Sequence, residues 1–397
     1  MDDTVQRERL VTDYSGRLFL AISLGWLFIQ MGRQVLPPLL PNIIDDLLIT
    51  STQAGFALTL MWGLYALCQY PSGRLSDRLS RKTLLVVALA LLSFGFFVLQ
   101  GTASYSIFLI GVAIVGLGAG LYPTAARALV SDLFVSRRGQ AFGLHTAAGD
   151  LGNASAAGLA VVAVALATWQ TAFLPMIVVF GGLLFVLHLW SRESYVVEHV
   201  SLGVRTTGQR LFTNGRLPWI LVTYILFAFT WQSTTAFLPT FLQVEKAFSV
   251  GLASTGFAVF FLVGMTVKPI AGLLGDRIGR STVAITALLV GLTGLSSMLL
   301  VEGTAFLFVA IVIFAAGLMS FPPVMQAYLM DLFPDESMGG DLGGMRTIYI
   351  GLGSIGPTYV GFVAGKESYT TAYVGVAVCL LLSASIVAMN ELRHYNR

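Results

Sequence analysis

Charged residues are scarce in this sequence. Only 11% of its 397 residues are charged, whereas soluble domains carry about 25%. A soluble chain of this length needs charge to cover its surface, so the composition argues against a soluble enzyme, a nucleic-acid-binding protein and a disordered protein. The two cysteines, Cys68 and Cys379, lie inside apolar runs and indicate no disulfide framework. Apolar residues make up 56% of the chain and the mean hydropathy is +0.81, which is typical of an integral membrane protein.

Long apolar runs divide the chain into candidate membrane spans. A spanning helix needs about 20 predominantly apolar residues. Runs of this kind number twelve, at 18–44, 52–74, 83–101, 105–130, 140–166, 170–190, 217–242, 251–274, 282–301, 304–330, 340–364 and 369–389. Short loops join them and leave no room for a sizeable extramembrane domain. The sequence therefore predicts an all-α integral membrane protein with twelve transmembrane helices.

Basic residues lie almost entirely on one side of this predicted topology. The polar N-terminus is followed by a span too long for the apolar core of a signal peptide, so we expect it to be uncleaved. With the N-terminus inside, the outer loops receive only Lys246 and Lys366 of all the lysines and arginines between spans. We expect a multi-pass protein of the plasma membrane with both termini and the central loop in the cytoplasm.

Two short motifs recur at one offset of 199 residues. The first copy contains Gly73, Asp77, Arg78 and Arg81, and the second contains Gly272, Asp276, Arg277 and Arg280. At the same offset Pro123 and Asp132 recur as Pro322 and Asp331. Six spans are thus repeated in parallel orientation, which predicts a substrate site between the repeats near the midplane. We predict an N-terminal six-helix half at 1–190, a cytoplasmic central loop at 191–216 and a C-terminal six-helix half at 217–397.

The first motif resembles a family signature. Residues 73–82 read GRLSDRLSRK and are similar to the G-x-L-x-D-R-x-G-R-[KR] loop of the major facilitator superfamily, apart from Ser80 where glycine is usual. The segment from Tyr122 to Gly139 resembles the region between the fourth and fifth spans of that family. The resemblance covers essentially the whole chain. It implies the family's fold, transport of a small molecule by alternating access, and a monomer.

The repeated motif predicts a gate at the cytoplasmic face. The resemblance implies that Arg81 pairs with Asp132, with Arg280 and Asp331 as the second pair. We expect Gly73 to let two helices approach closely and Asp77 to meet the N-terminus of a helix from the other half. The basic residues also fix the topology, and gating is the better explanation for the acidic ones. The predicted gating residues are Gly73, Asp77, Arg78, Arg81, Asp132, Gly272, Asp276, Arg277, Arg280 and Asp331.

Five charged residues lie in the interiors of the predicted spans, away from their ends. They are Arg33, Arg127, Asp150, Lys268 and Arg346. Such residues are costly in a membrane and usually face a water-filled path or a partner. Spans three, nine and twelve have no charged residue in their interiors, and span six has only His188 near one end. In the family's fold these four spans lie outside the cavity, so the distribution agrees with the resemblance.

Arg33 is the strongest candidate for a substrate-binding residue. It lies near mid-membrane, too deep to snorkel easily, with Gln30 on the same helix face. A guanidinium with neighbouring amides suits a carboxylate or phosphate, although an internal ion pair with Asp150 is the alternative. Snorkelling is the open alternative for two other members of the set, Arg127 and Lys268. The predicted substrate-binding residues are Arg33, Gln30, Gln34, Arg127, Gln232, Lys268 and Arg346.

Asp150 is the one carboxylate well inside a predicted span, and Asn153 shares its helix face. Burial favours the protonated form of a carboxyl group and a nearby cation favours the ionised form. A group balanced between these effects can carry a proton across the membrane. We therefore predict proton coupling at Asp150 and Asn153, with a static ion pair between Asp150 and Arg33 or Arg346 as an equal alternative.

Four cationic candidates against one carboxylate favour an anionic substrate. The leading hypothesis is a secondary transporter that moves a small organic anion with a coupling proton. The alternative is a multidrug or hydrophobic-solute efflux transporter of the same fold, and a non-transporting membrane sensor is less favoured. We do not expect an enzyme, a metal, another cofactor or a nucleic-acid partner, because the sequence has no metal cluster, no protease-like serine and histidine pair and no phosphate-binding loop.

Overall fold

A computed structural model of the protein describes residues 10, 13–76, 79–196, 204–213, 217–333 and 338–395. All regular secondary structure in these ranges is helical. Eleven of the described helical segments are long and apolar enough to cross a membrane. A further helix, Ser51–Ser76, has sufficient length at 26 residues but is less apolar. With this helix counted, the described residues contain the twelve predicted spans.

The first six spans are formed by seven helices. Span one bends after Gln34 because Pro37 and Pro38 have no N–H groups to bond to the carbonyls one turn earlier. Ser80 and Ser104 cap two of the following helices by accepting hydrogen bonds from the backbone N–H groups of Thr83 and Ile107. The helices are α1 (Asp13–Gln34), α2 (Leu36–Leu47), α3 (Ser51–Ser76), α4 (Arg81–Gln100), α5 (Tyr105–Leu133), α6 (Arg138–Leu166) and, after a 3₁₀ turn at Trp169–Phe173, α7 (Leu174–Trp190).

The remaining spans follow a short helix in the central loop, which was not predicted from the sequence. Span eleven is also broken, at Ser354, because Pro357 has no N–H to bond to the carbonyl of Gly353. The helices are α8 (Val204–Thr213), α9 (Leu217–Val244), α10 (Val250–Ile278), α11 (Arg280–Leu300), α12 (Thr304–Leu332), α13 (Met338–Gly353), α14 (Ile355–Lys366) and α15 (Tyr369–Tyr395).

The helices form two sets, called here the N-terminal helices (α1–α7) and the C-terminal helices (α9–α15). Four spans make their main contacts within their own set. Helix α4 packs on α5 and α7, while α11 packs on α12 and α15, and α15 also packs on α9. These are the four spans whose interiors lack acidic and basic side chains apart from His188. The charged residues of the membrane region therefore lie on the other spans.

The two sets meet mainly along four helix pairs. Helix α3 packs along α13 and α14, α6 along α10, and α2 against α9. Glycine permits close backbone contact, because a Cβ atom on Gly55 would overlap the Pro357 carbonyl and one on Gly361 would overlap a carbonyl at the start of α3. Nearby, the hydroxyl of Thr358 donates to Thr59 Oγ1 at 2.7 Å. These contacts join α3 to α14 through both backbone and side chains.

The central loop is attached to both helix sets. Near its start, Val196 exchanges two hydrogen bonds with the hydroxyl of Thr83 on α4, at 3.2 and 3.3 Å. On α8, Arg210 forms an ion pair with Asp341 of α13 at 2.8 Å, and the Asp341 side chain is almost fully buried. The hydrogen bond to Asp341 raises the pKa of Arg210, so this guanidinium stays charged.

Candidate functional site

Arg33 is buried between two aromatic rings at the end of α1. Its Cζ atom lies 4.5 Å from the ring centroid of Trp62 and 4.5 Å from that of Tyr65, both on α3. Its Nη2 atom donates to the Oε1 atom of Gln30 one turn earlier. The Nε and Nη1 atoms are buried and have no hydrogen-bond partner among the described residues. The guanidinium is thus held in place with two donor atoms unused.

Two further arginines act on the same tyrosine as Arg33. Arg127 on α5 and Arg346 on α13 both interact electrostatically with Tyr65, as Arg33 does, and they also interact with each other. Arg127 Nε donates to the carbonyl of Pro123 at 3.0 Å. In the described part of the chain, Arg346 Nε is buried without a partner. We call Arg33, Arg127 and Arg346 the arginine cluster, which brings together three of the four cations predicted for the substrate site.

Tyrosine and tryptophan rings surround the arginine cluster. Tyr349 lies one turn after Arg346 and interacts electrostatically with it. The Tyr349 ring stacks on Tyr224 of α9, with centroids 4.7 Å apart. On the other side, the rings of Trp62 and Tyr65 meet edge to face at 5.4 Å. The sequence offers Trp62 and Tyr65 as cavity-side aromatic residues only for the efflux alternative, and their i+3 spacing places both on one helix face.

No described carboxylate neutralises the arginine cluster. The ion pairs found among the described residues involve other basic residues. Tyrosines act electrostatically on all three arginines, and Arg346 also acts on Arg127. Positive charges gathered in an apolar setting without a counter-charge are costly, and an anion bound there would lower that cost. The cluster has the chemistry of an anion-binding site.

Asp150 on α6 pairs with Lys268 on α10. The Lys268 Nζ atom lies 2.6 Å from Asp150 Oδ1, and the two side chains are 27% and 14% exposed respectively. This corrects the alternative from the sequence, which considered Arg33 or Arg346 as the partner of Asp150. The reason is that α6 packs along α10, which carries Lys268. Lys268 therefore contacts a carboxylate of the other helix set in place of snorkelling to the interface.

The predicted amide residues have different surroundings. Gln34 is buried at the end of α1, next to Arg33. Gln232 on α9 donates from Nε2 to the carbonyl of Ile350 on α13 at 3.0 Å, while its Oε1 atom is buried with no partner among the described residues. Asn153 is buried on α6, and its Oδ1 atom is likewise unpaired in the described structure. The binding role of Gln232 and the coupling role of Asn153 stay predictions.

The predicted gating residues are only partly described. Arg81 donates from Nε to Asp132 Oδ2 at 3.2 Å, which is the contact that the resemblance implied. Arg280 lies 3.7 Å from Asp276 in an i,i+4 pair. Asp77, Arg78 and the side chain of Asp331 lie outside the described residues, and Arg277 is exposed. Gating by this motif stays a prediction.

The close helix approach expected at Gly73 is wrong. A Cβ atom on Gly73 would meet only the Thr124 methyl group at 3.9 Å, which is ordinary contact, and one on Gly272 would meet nothing within 4 Å. The tight glycine contacts between the two helix sets lie instead at Gly55 and Gly361, near the other end of the spans. In this conformation the loop motif therefore does not bring helices together through its glycines.

The twelve spans form two helix sets, and helices of both sets contribute to the arginine cluster. This arrangement is that of a membrane transporter. The sequence profile of the Major Facilitator Superfamily matches residues 22–267 and 245–395. The chain belongs to this family and is a multi-pass membrane protein, and both its relatives and its fold are those of transporters rather than enzymes.

Three curated relatives are named as transporters. The chain is 27% identical over 353 residues to the probable sulfoacetate transporter SauU of Cupriavidus necator, a match that covers 81% of each chain. It is 23% identical to the hexuronate transporter of Bacillus subtilis over 95% of this chain and 93% of that one. It is 22% identical to the probable nitrate transporter NarT of Staphylococcus haemolyticus over 66% of this chain and 68% of that one.

Solved structures share the fold at low sequence identity. A bacterial homologue of the human lysosomal transporter Spinster, in an inward-facing and unoccupied conformation, matches with a TM-score of 0.80 and 17% identity over 96% of this chain and 97% of that one. A D-xylose–proton symporter matches with a TM-score of 0.76 and 14% identity over 94% and 97% of the two chains. At such identities the likeness establishes the fold alone.

Proposed function

We propose that this protein is a secondary transporter that moves a small organic anion together with protons. The arginine cluster carries the proposal, because its buried donors on Arg33 and Arg346 have no partner among the described residues. A guanidinium binds a carboxylate or sulfonate through two parallel hydrogen bonds, which makes arginine the preferred residue for such groups. The names of three relatives refer to sulfoacetate, hexuronate and nitrate, all anions, and support the proposal.

In this proposal the anion binds between the two helix sets. Arg33 and Arg127 belong to the N-terminal helices and Arg346 to the C-terminal ones. Without a substrate, like charges on the two sets repel each other. A bound anion would remove that repulsion and favour states in which the sets close around it. Alternating access would then follow from a rocking of the two sets, taken as the halves 1–190 and 217–397, with the 191–216 loop between them.

Asp150 is the proposed proton carrier. Protonation of its carboxyl group would remove the negative charge that holds Lys268 at 2.6 Å. The ion pair between α6 and α10 would break, and the two helices could separate more easily. Proton uptake would in this way be linked to a movement of one helix set relative to the other. We also propose that the central loop faces the cytoplasm, that the membrane is the plasma membrane, and that one chain forms the complete pathway.

The experiment is transport in liposomes that contain the purified full chain. Currents would be recorded with panels of organic anions, lipophilic cations and neutral drugs, with and without a proton gradient. We expect anion-evoked currents that an inward proton gradient increases, and a loss of about tenfold or more in apparent affinity for Arg33→Gln, as expected when a charged hydrogen bond is removed.

Arg192→Gln is the matched control, since Arg192 is an exposed arginine that stacks on Tyr14 outside the membrane spans. It should transport as the unaltered protein does. Currents with lipophilic cations or neutral drugs alone would favour the efflux alternative and contradict the proposal. Unchanged anion transport by Arg33→Gln would show that Arg33 does not contact the substrate.

A further inference from the structure

The unused donors of the arginine cluster lie on two different helix sets. Arg33 Nε and Nη1 belong to α1, and Arg346 Nε belongs to α13. Each arginine has its own aromatic support, Trp62 and Tyr65 for the first and Tyr349 for the second. The cluster is therefore two separately built donor groups rather than one.

We infer that the substrate is a dianion with two separate anionic groups, one bound by Arg33 and the other by Arg346 together with Arg127. This inference rests on the proposed function and names the substrate class within it. The anionic groups are carboxylates or sulfonates, whose oxygens match the guanidinium edge. One donor group alone would fit a monoanion as well as a dianion. The dianion therefore follows only from the presence of both donor groups.

The geometry of Arg33 leaves two donor atoms for binding. Its guanidinium is fixed by the rings of Trp62 and Tyr65 at 4.5 Å and by Gln30, which accepts a hydrogen bond from Nη2. Nε and Nη1, whose N–H groups point in different directions, are the atoms without a partner among the described residues. An anionic group bound at Arg33 accepts hydrogen bonds from these donors. The buried Nε of Arg346 would then still lack an acceptor, which is an unfavourable arrangement that a second anionic group removes.

The balance of charge also favours a dianionic substrate. Asp150 already neutralises Lys268 at 2.6 Å, so neither contributes a free charge to the site. Tyr65 acts electrostatically on all three arginines and Arg346 acts on Arg127, while no described carboxylate acts on any of the three. A monoanion would leave two positive charges close together in an apolar region, whereas a dianion leaves one. The site is therefore better matched by two negative charges than by one.

Tyr65 packs against Arg33 and interacts electrostatically with all three arginines. Trp62 lies beside Tyr65, and Tyr349, one turn after Arg346, stacks on Tyr224, so that aromatic rings accompany both donor groups. Rings of this kind contact an apolar body of a ligand. The expected substrate is therefore a compact molecule with an anionic group at each end and an apolar middle.

The test compares dianions with monoanions of the same shape. One pair of probes is succinate and succinamate, in which an amide replaces one carboxylate. The second pair is sulfoacetate and 2-hydroxyethanesulfonate, in which a hydroxymethyl group replaces the carboxylate. Currents would be recorded at neutral pH from liposomes containing the full chain. We expect half-maximal response at a concentration at least tenfold lower for the dianion of each pair.

The variant Arg346→Gln should remove this preference, so that the dianion and the monoanion of a pair give half-maximal responses at similar concentrations. Arg346→Lys keeps the charge and should retain part of the preference, while size-exclusion chromatography checks that both variants are folded. Equal responses to the dianion and the monoanion in the unaltered protein would overturn the inference while the proposed anion transport stands. A response to neither member of either pair, with a response to cationic or neutral solutes, would overturn both.

Discussion

Asp150 on α6 and Lys268 on α10 form an ion pair that joins the N-terminal helices to the C-terminal ones, with 2.6 Å between Oδ1 and Nζ. Both side chains are largely removed from solvent, at 14% and 27% exposure. Each therefore depends on the other to balance its charge within the membrane. Any event that changes the charge of one side chain acts directly on the contact between the two helix sets.

Removing one member of this ion pair should destabilise the protein more than swapping the two residues between their positions. Asp150→Asn or Lys268→Met leaves one uncompensated charge, and we expect a loss of about 1–3 kcal/mol, less than for a fully buried pair because the side chains are partly exposed. The double exchange Asp150→Lys with Lys268→Asp restores the pair. Thermal unfolding of the purified variants in detergent measures the effect. Additive losses in the double exchange would show that the pair itself contributes nothing.

Proton coupling should depend on Asp150. In Asp150→Asn the side chain cannot take up a proton, so anion-evoked currents should no longer respond to an inward proton gradient. Exchange of labelled for unlabelled anion should continue, because the arginine cluster is unaltered. Flux measurements in liposomes with and without the gradient check this. If the gradient still increases uptake by the variant, another group carries the proton.

The aromatic support of Arg33 should contribute to anion affinity. Tyr65→Leu removes a ring whose centroid lies 4.5 Å from Arg33 Cζ. Such cation–π contacts are worth about 0.5–2 kcal/mol, which corresponds to a weakening of roughly 2- to 30-fold. Tyr65→Phe keeps the ring and should weaken anion binding less. Half-saturation concentrations in the liposome assay measure both, and equal losses in the two variants would assign the effect to the hydroxyl.

Two glycine substitutions should have opposite effects on stability. Gly361→Ala places a Cβ atom against a backbone carbonyl of α3 and should lower the unfolding temperature of the conformation described. At Gly158 on α6 a Cβ atom meets nothing within 4 Å. Gly158→Ala should therefore raise stability slightly, by about 0.5–1 kcal/mol, because alanine favours the helix. Unfolding temperatures in detergent compare the two, and a decrease at both sites would mean that the helix contact is not responsible.

The ion pair of the first loop motif should matter for transport. Arg81 bonds to Asp132 on a different helix at 3.2 Å. Arg81→Ala should therefore slow transport more than the control exchange Arg192→Gln, which alters an exposed arginine. Its effect on stability should be below about 1 kcal/mol, since Asp132 is 55% exposed. Initial rates of uptake, with unfolding temperature as the control, check this. Recovery in Arg81→Asp with Asp132→Arg would attribute the loss to the pair.

Hydropathy was sufficient to predict most of the fold. The predicted span 105–130 is α5 at Tyr105–Leu133, and the predicted span 217–242 is α9 at Leu217–Val244. Helix α8 was missed because its ten residues are mostly polar and it lies outside the membrane spans. The break at Ser354 was also missed, although Pro357 produces it in the way that Pro37 and Pro38 produce the break in span one.

The candidate site could be predicted only as a set of residue types. The cost of a charge within a membrane was sufficient to single out Arg33, Arg127 and Arg346. The partner of Asp150 could not be found in this way, because it depends on which faces α6 and α10 present to each other across 118 residues of sequence. For the same reason the sequence could not show which rings enclose Arg33.

The attachment of the central loop at both ends has a further consequence. Val196 is bonded to Thr83 of the N-terminal helices, and α8 begins at Val204 and is tied to Asp341 of the C-terminal helices through Arg210. The chain between Val196 and Val204 can extend to at most roughly 28 Å. While both attachments hold, the length of this connecting segment limits how far the two helix sets can separate at the face where the central loop lies. A transport cycle of larger amplitude would have to release one of the two attachments first.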